Sequence, residues 1–209
     1  NTTLLFSMIV SWVLTGKRVI VISNEIRYED VLYKLYAQIA GIDQSAKRKG
    51  SLTDVDKKKL LAVRHFLAQN NNLHVVKKPI HDVNHITSYI ENDTDIVAID
   101  GAYLMAKSPD WKDLTQVSNT LRAISNNTGV AIVGVIQANR SAAEKTSLES
   151  VAGSDSFTQD ADILLGVNNA GAIVGGRSVN IMSSKNRHGV PIQFTVNFKL
   201  PVIYSWEDS

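Results

Sequence analysis

Residues 95–100 read Asp-Ile-Val-Ala-Ile-Asp, a short unbroken apolar run that stops at an acid. A strand with one wet face alternates apolar and polar residues. A run that is apolar at both parities needs cover on both sides, as inside a parallel sheet. Three further runs have this character, at 19–22, 73–76 and 130–136. Between them lie segments of helical period. Segment 28–40 places Val31, Leu32, Leu35, Tyr36 and Ile39 on one stripe, 54–69 does so with Leu60, Leu61, Val63 and Leu67, and 113–126 with Leu114, Val117, Leu121 and Ile124. Strands alternating with helices predict an α/β fold, a mostly parallel central sheet flanked by helices and joined by right-handed crossovers. After 162–167 no further long helix is evident, and 178–183, 192–198 and 202–206 read as strands separated by turn residues, so the sheet is expected to end in antiparallel hairpins. Two long stretches without a clear element, 101–111 and 139–155, are expected to be loops, either functional or disordered.

With 209 residues, 44% of them hydrophobic and 20% charged, the chain suffices for one sizeable core, and a single domain over 1–209 is the expectation. The formal net charge of +2 excludes nucleic-acid binding by bulk charge and leaves it to local patches. Without cysteine there is no disulfide framework, no thiolate zinc site and no thiol nucleophile, which fits a reducing compartment such as the cytoplasm. The apolar run 4–14 is interrupted by Ser7 and Ser11 and followed at once by Gly16-Lys17-Arg18. It reads as a buried helix rather than a membrane span, and no membrane partner is expected.

Open parallel sheets bind ligands beyond the carboxyl ends of their strands. There the first run leads into Ser23-Asn24-Glu25, the third into Asp100 and the fourth into Gln137. An acid to polarise water, an acid to hold a hydrated cation and an amide to sense a phosphate oxygen suit hydrolysis of a nucleoside triphosphate. Taken singly, each acid could equally cap the next helix. Near the C-terminus, 183–189 reads Ser-Ser-Lys-Asn-Arg-His-Gly. With a period of two, Lys185 and Arg187 point the same way and form a two-pronged cationic tip, either a solvated basic hairpin or a finger reaching a neighbouring subunit's phosphates.

At these residues the chain resembles the ATPase domain of the DnaB-type hexameric replicative helicases, a branch of the RecA-like P-loop NTPase fold. Thr2-Thr3-Leu4-Leu5 is similar to the start of the helix after a Walker A loop, 19–25 to the strand carrying the family's catalytic glutamate, and 95–100 to its Walker B strand. Segment 131–140 is similar to the strand ending in its γ-phosphate-sensing glutamine, 153–162 to the segment after its DNA-binding loop, and 183–189 to its finger motif. The resemblance implies ATP with Mg2+, Thr2 and Thr3 at the nucleotide, and Thr2 with Asp100 at the metal. It further implies Glu25 orienting the attacking water, Gln137 reporting the γ-phosphate, and Arg187 with Lys185 acting in trans within a homo-hexamer. Single-stranded DNA would pass loops containing Tyr103, Trp111, Arg140, Lys145, Gly153 and Ser154. A primase and a helicase loader are the implied protein partners, in a bacterial or phage-infected cell.

Two features depart from that pattern. The G-x-x-x-x-G-K-[ST] loop is not in the sequence, so it either precedes Asn1 or is degenerate, with Asn1 in the lysine position; both readings stay open, and the domain is expected to be cut within or just after this loop. Where the family usually carries an Arg-Glu pair, this chain has Ala152-Gly153, which leaves backbone rather than side-chain contact to DNA there. A non-hydrolysing RecA-like binding module and a recombinase-like ATPase are the remaining alternatives. His81 and His85 are spaced i, i+4, but only Asp82 is a nearby acid, and no metal is assigned to them.

Overall fold

The computed structural model describes residues 2–137, 155–173, 176–199 and 203–207. Four parallel strands, β1 (Val19–Ser23), β2 (Leu73–Val75), β3 (Ile96–Asp100) and β4 (Ala131–Val135), lie in the order β2-β1-β3-β4. The two central strands, β1 and β3, are buried at every position, which is why both parities of their sequences are apolar.

The period of two divides these residues between two cores. On one face Ile20, Ile22, Val97 and Ile99 meet Val83 and Ile86 of a 3-10 turn (Val83–Tyr89) and Val117, Leu121 and Ile124 of α5 (Trp111–Thr128). On the other, Val19, Val21, Ile96 and Ala98 meet Leu5, Phe6, Ile9 and Val13 of α1 (Thr2–Leu14) together with Val31 and Leu35 of α2 (Tyr28–Ile39). Phe6 is fully buried, and its truncation to alanine would cost about 3–5 kcal/mol. The apolar run 4–14 is therefore a core helix, and among the described residues no helix is long and apolar enough to cross a membrane.

Short α3 (Ala46–Lys49) and long α4 (Asp54–Asn70) fill the connection before β2. A capping box opens α4: the Thr53 hydroxyl accepts from the Asp56 amide while the Asp56 carboxylate accepts from the Thr53 amide. Of the four-residue apolar stripe expected on this helix, Leu67 is buried, Val63 and Leu60 are partly buried against the neighbouring clusters, and Leu61 is exposed. Nor is 101–111 without an element, since residues Ala102–Met105 make a second 3-10 turn.

After α6 (Asp155–Asp160), strands β5 (Ile163–Ile173), β6 (Gly176–Asn186), β7 (Gln193–Lys199) and β8 (Ile203–Glu207) pair antiparallel in sequence order. They form a sheet of their own instead of extending the parallel one. Val179, Ile181, Val196 and Phe198 give β6 and β7 one continuous apolar face, which packs with Leu165, Val167 and Leu4 of α1.

Candidate functional site

Register fixes the geometry of the rim. Ser23 pairs with Asp100, and Asp100 pairs with Val135, so the ends of β1, β3 and β4 lie on one rung. Glu25 and Gln137 each follow that rung by two residues. Neighbouring strands are about 4.8 Å apart, so three strand-end polar groups of different chemistry share one edge.

Asp100 is wholly buried. Its Oδ1 accepts from the Thr2 hydroxyl at 2.8 Å, and its Oδ2 lies 3.4 Å from the Ser23 hydroxyl. Burial pushes the Asp100 carboxyl above the ordinary carboxylate range and the nearby Glu25 charge adds to this, against the Thr2 and Ser23 hydrogen bonds. Ser23 in turn accepts from the Ile26 amide at 3.1 Å, fixing the turn that carries Glu25. Asn24 accepts from the Ile80 amide at 2.9 Å and donates to the Ile80 carbonyl at 3.1 Å, which ties the segment after β2 to the same edge.

Glu25 and Gln137 are both exposed and are joined through one group. The Tyr103 hydroxyl is 3.1 Å from Glu25 Oε1 and 3.4 Å from Gln137 Oε1. The 3-10 turn after β3 brings the Tyr103 hydroxyl to the strand-end rim. Trp111 stands exposed at the start of α5, with Lys112 Nζ 5.8 Å from its ring centroid. Asn1, Arg140, Lys145, Gly153 and Ser154 lie outside the described residues. Thr3 is in the first turn of α1, where its carbonyl accepts from the Ser7 hydroxyl at 2.9 Å.

The cationic tip is held on α6. Lys185 Nζ donates to the carbonyls of Thr158 and Gln159, each at 2.7 Å, and Arg187 donates to the same Gln159 carbonyl at 2.7 Å. Arg187 also faces Asp162 at 3.6 Å, and Arg122 of α5 donates to the Asp160 carbonyl at 2.9 Å. Burial, with Arg187 and Arg122 nearby, pulls the Lys185 ammonium below its usual range. Both prongs thus point the same way, as the period of two demands, and end on the last carbonyls of a short helix. Sequence reasoning missed Arg122 as a neighbour of the tip, Ser23 as a partner of Asp100, and the Tyr103 bridge. For the first, no local signal exists, because α5 meets α6 only in the folded chain.

The profile of the DnaB-like helicase C terminal domain matches residues 1–203. The chain belongs to this family. Among relatives, the replicative DNA helicase DnaB of Buchnera aphidicola subsp. Schizaphis graminum is 24% identical over 167 residues, spanning 73% of this chain and 36% of its own length. That of Haemophilus influenzae is 26% identical over 165 residues, spanning 71% and 35%. The chain therefore spans about a third of the length of these relatives. Among solved structures, one described as an ATPase domain superposes with a TM-score of 0.80 at 18% identity over 94% of this chain and 76% of that one. A DnaB-like replicative helicase, described with its interactions with primase, superposes with 0.74 at 20% identity over 88% and 49%. The fold of this DnaB-like domain is thus the RecA-like one, with the antiparallel sheet as its C-terminal part.

Proposed function

We propose that this chain is the motor domain of a replicative DNA helicase, hydrolysing ATP to move along single-stranded DNA as a ring. The observation that carries the reading is the Thr2–Asp100 hydrogen bond, which sets the first turn of a helix against a buried strand-end carboxylate one strand away from Glu25. Thr2, Ser23 and Asp100 gather hard oxygen donors at one point, and a carboxylate disfavoured by burial gains from an adjacent divalent cation, so the donor set fits Mg2+. Thr2 and Asp100 would hold it, and bound there it would neutralise charge on the β- and γ-phosphates.

The remaining roles belong to the chain's own residues. Where a glycine-rich loop precedes Thr2, the first turn of α1 offers unpaired amides, Thr3 among them, to the phosphates. Glu25 accepts a hydrogen bond from the attacking water and holds it in line. Gln137 meets a γ-phosphate oxygen and passes its presence to the segment that follows. Arg187, with Lys185 beside it, supplies positive charge to a nucleotide on the adjacent protomer, so turnover needs the assembled hexamer. Segments 101–111 and 139–155, with Tyr103, Trp111, Arg140, Lys145, Gly153 and Ser154, follow the DNA strand by aromatic faces, cations and backbone amides. Primase and a helicase loader are the protein partners, and the location is cytoplasmic.

The test is made on the protein with its phosphate loop in place: DNA-stimulated ATP hydrolysis and separation of a forked duplex. Filament formation on single strands without fork opening would favour a recombinase-like ATPase. Nucleotide or DNA binding without any turnover would leave a binding module.

A further inference from the structure

We infer that Tyr103 is a positioning residue that ties Glu25 to Gln137, so that water orientation and phosphate sensing share one hydrogen-bonded unit. The inference rests on the motor reading above for the roles of Glu25 and Gln137, and on geometry for the link itself. Glu25 and Gln137 are exposed, long side chains beyond the ends of their strands, and holding either in one rotamer costs about 1–2 kcal/mol of entropy. A water-orienting carboxylate left free would spend most of its time elsewhere. The Tyr103 ring is stiff, with two torsions, and its turn is closed by the Leu104 amide on the Gly101 carbonyl at 3.1 Å and the Ala106 amide on the Tyr103 carbonyl at 3.2 Å. Its hydroxyl therefore comes to the rim as a fixed point.

A phenol has one proton and two lone pairs. At 3.1 Å from a carboxylate and 3.4 Å from an amide oxygen, the proton goes to Glu25, where the bond is charge-assisted. The phenol oxygen is then an acceptor toward Gln137, and a half-turn of the Gln137 amide supplies the matching N–H. The sequence amide to phenol to carboxylate gives each group one role. When the Gln137 amide turns to a phosphate oxygen it leaves Tyr103, so a change at the sensor reaches Glu25 through a single atom. A phenol holds its proton at neutral pH, and burial with the Glu25 carboxylate raises this one further above its ordinary range.

Two measurements test this. In the nucleotide-free protein, 3-fluorotyrosine replacing Tyr103 gives a 19F resonance that should move both on Glu25→Gln and on Gln137→Ala; a resonance indifferent to both changes overturns the inference. In the protein with its phosphate loop, Tyr103→Phe keeps the ring and removes the hydroxyl. Its kcat for ATP should fall about tenfold with KM within about twofold. An unchanged kcat, or a loss in KM alone, overturns it. A wild type without turnover whose 19F resonance still moves on both changes would defeat the motor reading and leave the hydrogen-bonded unit standing, so the two failures are distinguishable.

Discussion

Thr2 and Asp100, 98 positions apart, meet in a hydrogen bond of 2.8 Å between the first turn of α1 and the last residue of β3. The carboxylate in that pair is fully buried and held above its ordinary range by burial. Its sign in stability follows directly. A folded-state value above the unfolded one means that between the two the folded chain keeps a proton the unfolded chain has released, so stability falls as pH rises through that window. Asp100→Asn removes this fall. In EDTA and without nucleotide, the variant should melt about 2–4 °C higher at neutral pH, the shift that roughly 1 kcal/mol produces in a domain of this size. The gain should vanish on acidification, and binding of Mg2+-nucleotide should be lost. Half-buried carboxylates are shifted the other way by hydrogen bonds, Asp43 and Asp95 chiefly from backbone amides and Asp56 chiefly from the Thr53 hydroxyl, so the comparison is variant against wild type at each pH. Equal melting of the two proteins at neutral pH would refute the assignment of a strained, ionised Asp100.

Glu25 has no share in the core, and its removal should leave the fold intact. Glu25→Ala, behind a complete phosphate loop, is expected to lower kcat by about 10²–10⁴-fold, the usual contribution of a positioned acid–base group. Affinity for a fluorescent non-hydrolysable nucleotide should stay within about twofold. Turnover retained at wild-type level would take the water-orienting role away from this residue.

What the sequence made legible follows from locality. The fully apolar runs at 19–22 and 96–99 announce strands covered on both faces, and β1 and β3 are those strands. Glu25, Asp100 and Gln137 share an edge because parallel strands end on the same side, which order and register alone require. By contrast, the stripe on 54–69 held only in part because period does not say how deep a helix sits: Leu67 is buried, Leu60 and Val63 are half-buried, and Leu61 lies in water. The Tyr103 bridge was hidden because it depends on the φ of Gly101, +79°, which turns the chain back over the strand end. Nor does local pattern say that β5 to β8 form a separate sheet, since an antiparallel ladder looks the same whether or not it joins a neighbouring sheet.

Arg187 and Lys185 end on carbonyls of their own chain, at Thr158 and Gln159. Arg187→Ala should abolish hydrolysis by about 10³–10⁵-fold if the guanidinium serves the neighbouring nucleotide. A mixture with Glu25→Ala separates action in trans from a local role, because each variant is intact where the other is broken. Mixed rings contain interfaces with a wild-type Glu25 on one side and a wild-type Arg187 on the other. Turnover should therefore return in part, peaking near equal amounts. No recovery at any ratio would place Arg187 in a contact internal to its own subunit.

Gly101 offers a sharper test of how closely Glu25 is packed. A Cβ at this position would lie 2.9 Å from Glu25 Cγ and 3.1 Å from Leu104 Cδ1, and the backbone is already in the left-handed region. Gly101→Ala thus adds two effects, a conformational strain of about 1–2 kcal/mol and a push on the Glu25 side chain. Gly129, which ends α5 at φ +73°, has nothing within 4 Å of its would-be Cβ. Gly129→Ala carries the strain without the push. Both variants should melt a few degrees lower by similar amounts. Only Gly101→Ala should lose kcat, by about tenfold or more, as a displaced Glu25 no longer aligns water. Steady-state kinetics and melts of the pair decide it: matched turnover in the two variants would mean that the contact between Gly101 and Glu25 does not govern the reaction.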